Sequence, residues 1–541
     1  MSFTVFTGGT ILVDPTPEAE IATSDAIAFR DGRVIALGAE AAELATAPGA
    51  EHVDLAGGTL APAPGDGHAH PMLGGVEALG PAIREATDLQ GILDAVATWK
   101  SAHPDAEWIV GASYDATFAE GGLFDARWLD EVTGDTPTIL RAWDYHTAWV
   151  NSAALAAGGI TADTPDPHLG RIVRREDGSP LGTLQESAAN NFLADVVPAF
   201  PIEQRLDAIE RATRNYAELG MTWVQDAWVE PGDIEVYLAA AQAGRLHARV
   251  NLAFRADPVR WREQLAEFAA ARASVRELGA DRLSGETVKF FLDGVVESHT
   301  AALLTPYADR PDDSGLPNWE TAELTAATAA FDAAGFQLHL HAIGDAANRS
   351  ALNALEAASE ANPARERHHV IAHVAVLDPA DVERFAQLGI IANFEPYWAQ
   401  CDAVMRDLTI PHLGEPRDEW QYLIGSVHRS GATVSFGSDW PVTTIDWRPA
   451  LATAITRHDP ADPAGTAWLP EERVDAATAF GAYTTGIARQ ALASDTRGTL
   501  AVGRTADAVW LAADPLASTP EAIAELAVHG TWLAGEPTFT A

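Results

Sequence analysis

The hydrophobic pattern of this chain changes period twice. Residues 4–13 and 26–37 form short strand-like runs, the second broken by Asp31-Gly32, a pair that favours a two-residue hairpin turn. The same texture returns at 498–503, 506–511 and 531–536. Between about 61 and 490, apolar runs of strand length alternate with Ala-, Glu- and Arg-rich stretches of helical character, the pattern of a parallel α/β architecture. Eight runs read as strands: 59–64, 221–225, 249–254, 287–292, 336–341, 369–372, 390–394 and 433–437. Stretches such as 321–334 and 378–388 read as the helices between them. Eight such units predict a (β/α)8 TIM barrel, with insertions carrying its length beyond ~250 residues. Segment 72–210 is too long for a single connection and has strand-like runs at 108–112 and 138–143. It reads as a large insertion, or lid, over the barrel mouth. The β-rich ends, 1–60 and 491–541, are expected to assemble into one small β-sandwich domain, leaving 61–490 to the barrel.

Composition narrows the class. With 47% hydrophobic and 21% charged residues, the 541-residue chain reads as a soluble globular protein, and no run of about 18 apolar residues suggests a membrane span. The first residues lack the basic stretch of a signal peptide. Cys401 is the single cysteine, so an intrachain disulfide and a thiolate zinc cluster are excluded. The expectation is a cytoplasmic protein. A net charge of −42 argues against nucleic acid or an anionic membrane as partner and leaves a small-molecule substrate; a homodimer is compatible with the sequence. Arginine is the cation of choice throughout: among 35 basic residues only Lys100 and Lys289 are lysines. Lys289 stands inside Val288-Lys289-Phe290-Phe291-Leu292, where a buried ammonium is unfavourable and where arginine could not do the same chemistry.

The stretch Asp66-Gly67-His68-Ala69-His70-Pro71 carries two histidines at i and i+2, which face one side of an extended segment. Imidazole is a common neutral ligand for zinc-class ions, so the pair is half of a metal site. Lys289 lies in the fourth run, His341 ends the fifth, His373 follows the sixth and Asp439 follows the eighth. Active sites of such barrels sit at the C-terminal ends of the strands, so these groups are expected to converge. Four imidazoles, a carboxylate and a lysine could hold two divalent metal ions, with zinc (Zn2+) the expected metal. An ammonium repels a cation, so Lys289 would serve only after reaction with carbon dioxide. The resulting carbamate, a carboxylated lysine, is an anion able to bridge two ions. Such a pair lowers the pKa of a shared water to about 7 and polarises a carbonyl.

The ordered set resembles the amidohydrolase superfamily. Its surroundings resemble the YtcJ-like, amidohydrolase-3 branch, which includes N-substituted formamide deformylases. The matching stretches are Val288-Lys-Phe-Phe-Leu-Asp-Gly294, His339-Leu-His-Ala-Ile-Gly-Asp345, Val370-Ile-Ala-His373, Phe436-Gly-Ser-Asp-Trp-Pro-Val442 and Gly498-Thr-Leu-Ala-Val-Gly503. Asp144-Tyr-His-Thr-Ala-Trp-Val-Asn-Ser152, in the insertion, also resembles that branch. The resemblance implies a metal-dependent hydrolase of C–N bonds with a terminal β domain. Two departures stand out. Pro62-Ala-Pro-Gly-Asp66 replaces the usual apolar run before the first histidines, and Ala372 occupies a place often held by an acid, so His373 must find its support elsewhere.

Within that resemblance His68, His70, Lys289, His341, His373 and Asp439 are the implied metal ligands. His341 is preferred to His339 because it directly precedes Ala-Ile-Gly-Asp. Asp439 is the acid–base candidate, taking a proton from water and delivering it to the leaving nitrogen. His146 in the insertion could donate to the substrate carbonyl. Trp143, Tyr145, Tyr397, Trp398 and Trp440 would build an aromatic pocket, with Glu186 and His299 as further substrate contacts. The leading reading is hydrolysis of an amide, N-substituted formamide or carbamate with an apolar or aromatic body. An esterase, lactonase or cyclic-amide hydrolase fits the same site, and a non-catalytic metal-stabilised binding barrel is the alternative of another class.

Overall fold

Eight parallel strands form the centre of the computed structural model, which describes residues 3–16, 22–462 and 464–541. In chain order they are β1 (Gly65–Ala69), β2 (Trp223–Val229), β3 (Arg249–Arg255), β4 (Leu283–Phe291), β5 (Gln337–Ala342), β6 (Val370–His373), β7 (Ile391–Phe394) and β8 (Val434–Phe436). Each pairs with its sequence neighbour, giving one sheet in strand order. Just beyond β8, the Asp439 N–H donates to the His68 carbonyl on β1 at 2.7 Å, so the two ends of the sheet meet and the barrel is nearly closed. All six residues of β5 are buried, as are all four of β6 and of β7, which is the continuous burial expected of parallel strands with both faces covered. Helices Trp261–Leu278, Thr321–Ala333, Asp345–Ala361 and Val382–Leu388 run between successive strands.

The first barrel strand departs from expectation. The apolar run at 59–64 does not enter the barrel: Thr59–Pro62 pairs with Thr10–Asp14 and with Ala508–Leu511 in a sheet of the chain ends. The barrel uses the small residues that follow. Gly65 packs on Trp223, and Gly67 lies against Asn393, Gln490 and the Phe436 carbonyl so closely that a Cβ would overlap them. Pro62 and Pro64 lack the N–H a continuous ladder needs, so the chain changes sheets between the two segments.

The chain ends supply two sheets. One orders Arg33–Leu37, Ile27–Arg30, Phe3–Thr7 and Ala50–Asp54; the other orders Glu536–Thr540, Val528–Leu533, Ala508–Leu511, Thr59–Pro62, Thr10–Asp14 and Ala22–Ser24. Phe6, Ile11, Ile27, Phe29, Leu60 and Trp532 share one core between them. Asp31 and Gly32, both at positive φ (51° and 77°), form the hairpin turn joining Ile27–Arg30 to Arg33–Leu37. The run 498–503 is not a strand. Gly498 and Gly503 sit at φ 87° and 89°, which breaks extension at both ends, and Leu500 instead plugs the core while its N–H donates to Val13.

These ends and the barrel belong to one compact unit (Met1–His70, Glu210–Asp439 and Thr444–Ala541); Pro71–Ile209 with Trp440–Thr443 form a second. The second unit has its own five-stranded sheet, ordered Gly170–Arg174, Pro180–Glu186, Thr147–Val150, Thr138–Ala142 and Ile109–Tyr114. Trp149, Tyr114 and Phe124 anchor one of its cores. No helix among the described residues is long and apolar enough to cross a membrane.

Candidate metal centre

His68 is the penultimate residue of β1, and its neighbours fix its orientation. Its Nδ1 is 2.8 Å from His339 Nε2 on β5, which leaves Nε2 facing Lys289 Nζ at 3.3 Å and Asp439 Oδ1 at 3.5 Å. Two residues on, His70 Nε2 lies 2.8 Å from the same Asp439 oxygen. Lys289 stands on β4, in register with His339 on β5, its Nζ 4.6 Å from the centre of the Phe291 ring. His341, penultimate in β5, and His373, the last residue of β6, bring their ring centres within 4.5 Å, and the His373 ring is 4.6 Å from that of His68. The six predicted ligands thus lie together at the C-terminal ends of β1, β4, β5, β6 and β8, all of them buried.

Backbone and carboxylates hold this arrangement. Asp66 accepts the backbone N–H groups of His68 and Ser438 at 3.2 and 3.0 Å and the Ser438 hydroxyl at 2.5 Å, pinning β1 to the turn after β8. Asp293 accepts three backbone N–H groups, from Ala302, Ile343 and Gly344 (2.8, 3.0 and 2.9 Å), and lies 3.5 Å from His341 Nε2. Glu395, just after β7, puts Oε2 3.0 Å from His373 Nδ1. It supplies the carboxylate that Ala372 does not, and sequence reasoning missed it, as it missed the His339 contact to His68 and the clamp at Asp66. His373 and Asp439 occupy left-handed backbone (φ 74° and 51°), uncommon for side-chain-bearing residues and concentrated at functional sites.

Burial sets the charge states. It holds His68 and His339 well below the ordinary imidazole range, helped by nearby Lys289, so both are neutral and able to act as ligands. Burial also brings Lys289 down to about 7 and pushes Asp66 and Asp293 up to about 7. Burial alone would raise Asp439 too, but His70, His373 and Lys289 hold it below the usual carboxylate range.

The donor set fits divalent metal ions. Asp439 Oδ1 and His70 Nδ1 are buried without a hydrogen-bond partner among the described residues. The 2.8 Å approach of His70 Nε2 to Asp439 is therefore off the hydrogen-bond axis. That is the geometry of donors directed at a shared point rather than at each other. His68, His70 and Asp439 bring their ligand atoms within 4.8 Å of one another.

Among the predicted aromatics, Trp398 stacks on His373 at 5.8 Å with the rings 10° from parallel, and Tyr397 precedes it in the same turn. Trp228, not singled out from sequence, lies 6.1 Å from His70 and 4.8 Å from Phe291. His299 belongs to a separate cluster with Asp309 and His412. The remaining candidates sit in the second unit. There His146 Nδ1 is 2.8 Å from Glu186, Tyr145 donates to Glu77 at 2.7 Å, Trp143 is half-buried, and Trp440 packs over Gly74.

An amidohydrolase family model matches residues 51–539. The chain belongs to the amidohydrolase family. As a member it is a hydrolase, and hydrolases of the family use divalent metal ions. It is 31% identical over 93% of its length, and 86% of the relative's, to Protein LONG AFTER FAR-RED 3 of Arabidopsis thaliana. It is 28% identical to the putative amidohydrolase YtcJ of Bacillus subtilis, over 91% of each chain. It is 26% identical to the N-substituted formamide deformylase of Arthrobacter pascens, over 96% of each. Among solved structures, an uncharacterized metal-dependent hydrolase from Pyrococcus horikoshii superposes with a TM-score of 0.76 at 24% identity, covering 96% of this amidohydrolase and 99% of that chain.

Proposed function

We propose that this amidohydrolase hydrolyses a C–N bond of an amide, N-substituted formamide or carbamate whose remaining body is apolar or aromatic. The observation that carries the reading is the off-axis pairing of His70 Nε2 with Asp439 Oδ1, beside a lysine that burial keeps near neutrality. In this reading His68, His70 and Asp439 would hold one divalent ion, zinc by ligand type, and His341 and His373 would hold a second. Bound there, the ions would lower the pKa of a water and polarise the scissile carbonyl.

Lys289, as its carbamate, would be an anionic ligand for these ions. Carbon dioxide is attacked by a neutral amine, and a lysine brought down to about 7 presents that form near neutral pH. Asp439, held ionised, takes a proton from the attacking water. The water oxygen adds to the carbonyl carbon, the C–N bond breaks, and the same carboxyl returns the proton to the departing nitrogen. The products are an amine and a carboxylic acid or, from a carbamate, an amine and a carbonic half-ester that breaks down to an alcohol and carbon dioxide. Trp228, Phe291 and Trp398 supply apolar surface beside these ligands for the substrate body.

The test is a panel of aromatic and alkyl formamides, acetamides, carbamates and esters offered to the metal-stripped chain before and after zinc is returned. Zinc-dependent release of amine, lowered by about 10³-fold or more in Asp439→Ala, is expected. Short carboxylates such as acetate should partly restore Lys289→Ala, since they can occupy the place of the carbamate. Turnover of esters alone would move the reaction to the C–O bond. No turnover of any member, with zinc bound, would overturn this substrate class.

A further inference from the structure

We propose that His299, Asp309 and His412 form a second divalent-metal site of the zinc class, separate from the barrel centre. His299 Nε2 and His412 Nδ1 each lie 2.9 Å from the same oxygen, Asp309 Oδ2, and the two imidazole centres are 4.0 Å apart. The contact from His412 is not a hydrogen bond. Its Nδ1 is buried and has no aligned partner among the described residues, although the carboxylate is within reach. The same signature marks His70 and Asp439 in the barrel.

The scaffold holds the three groups in place before any ion binds. Ala308 donates to the His412 carbonyl at 2.9 Å, joining the two loops next to the ligands. The buried Arg417 guanidinium donates to the carbonyls of Thr305, Pro306 and Leu413 at 2.7, 2.7 and 2.9 Å, and Tyr307 donates to Ala301 at 2.7 Å. His299 itself adopts left-handed backbone, φ 60°, to aim its ring inward.

Two imidazoles and one carboxylate oxygen suit a zinc-class ion. Tetrahedral ligands at about 2.0–2.1 Å from zinc stand roughly 3.3 Å apart, so 2.9 Å contacts need to open by only a few tenths of an ångström. Asp309 is exposed, which gives the ion an entry path and room for water in its fourth position.

The experiment uses the full chain with the barrel ligands disabled by His68→Ala, His70→Ala, His341→Ala and His373→Ala, stripped of metal and dialysed against Zn2+. About one equivalent should remain bound, and adding Asp309→Asn should weaken it by about tenfold or more. Co2+ in place of Zn2+ should give visible absorption bands that the same substitution removes. Should the barrel-disabled chain fail to fold, zinc content of otherwise unaltered chains decides, with Asp309→Asn and His412→Gln each expected to lose one equivalent. Binding unchanged by both substitutions, or no zinc retained by a folded barrel-disabled chain, would overturn the site. Neither result depends on turnover, so the proposed hydrolysis can fail while this site stands.

Discussion

Lys289 is buried among histidines with its amine brought to about 7, far below the 10.5 of a free lysine. Below pH 7 both the folded and unfolded chains carry the charge, so the full burial penalty opposes folding. Between about 7 and 10.5 the folded form is neutral while the unfolded form remains protonated, and the penalty fades as pH rises. Metal-free Lys289→Met, similar in size, should therefore be more stable than the metal-free parent at pH 6, by something on the order of 2 kcal/mol or more. The advantage should shrink toward pH 10. Equal denaturation midpoints at both pH values would mean that the amine is not desolvated. A second prediction concerns Glu395, the buried partner of His373. Glu395→Gln keeps the shape and removes the charge, and should weaken metal binding about 10- to 100-fold, read by zinc titration of activity. A variant that titrates like the parent would reduce Glu395 to packing. The histidine pair was legible in the sequence because alternation alone puts i and i+2 on one side. Glu395 was not, since it stands 22 residues from its histidine, just beyond another strand, and no local pattern links them.

Strand positions were legible wherever apolar runs coincide with a barrel strand, as at β3, β5 and β7. The first strand was hidden because its composition is Gly-Asp-Gly-His-Ala, which has no hydrophobic signature, next to a stronger apolar run that serves a different sheet. Space, not propensity, selects that composition. A Cβ on Gly67 would stand 2.4 Å from the Asn393 amide, 2.8 Å from Gln490 and 2.9 Å from the Phe436 carbonyl, and backbone cannot step aside. Gly67→Ala should lower unfolding stability by about 1–3 kcal/mol through overpacking. Because Gly67 adjoins His68, activity should fall with it. Gly232→Ala is the control: nothing lies within 4 Å of its added carbon, so little change is expected. If urea titration shows the two variants alike, the close packing of β1 is not what holds its register.

For the whole molecule, period alone distinguished the β-rich ends from the barrel, but not the independence of the segment between them. Only two of the five strands in the second unit showed apolar runs, so its separate sheet could not be read. The net charge was fully legible, and its consequence depends on which electrostatic effect dominates. With 77 acidic against 35 basic residues, most carboxylates have no cation to meet. Exposed ion pairs such as Arg262–Glu323 at 2.6 Å and Arg276–Glu286 at 2.5 Å contribute little, because water screens them and their long side chains lose freedom on pairing, and salt weakens them further. Repulsion among the surplus carboxylates is long-ranged at low salt, where the screening length is about 30 Å at 0.01 M and about 3 Å at 1 M. Repulsion should therefore dominate, and the melting temperature should rise as NaCl increases from ~0.01 to ~0.5 M. Tetramethylammonium chloride should raise it equally, because screening does not depend on the cation. A fall with salt would put the stabilising role on the surface ion pairs. A rise with sodium alone would point to specific cation sites among the carboxylates instead of screening.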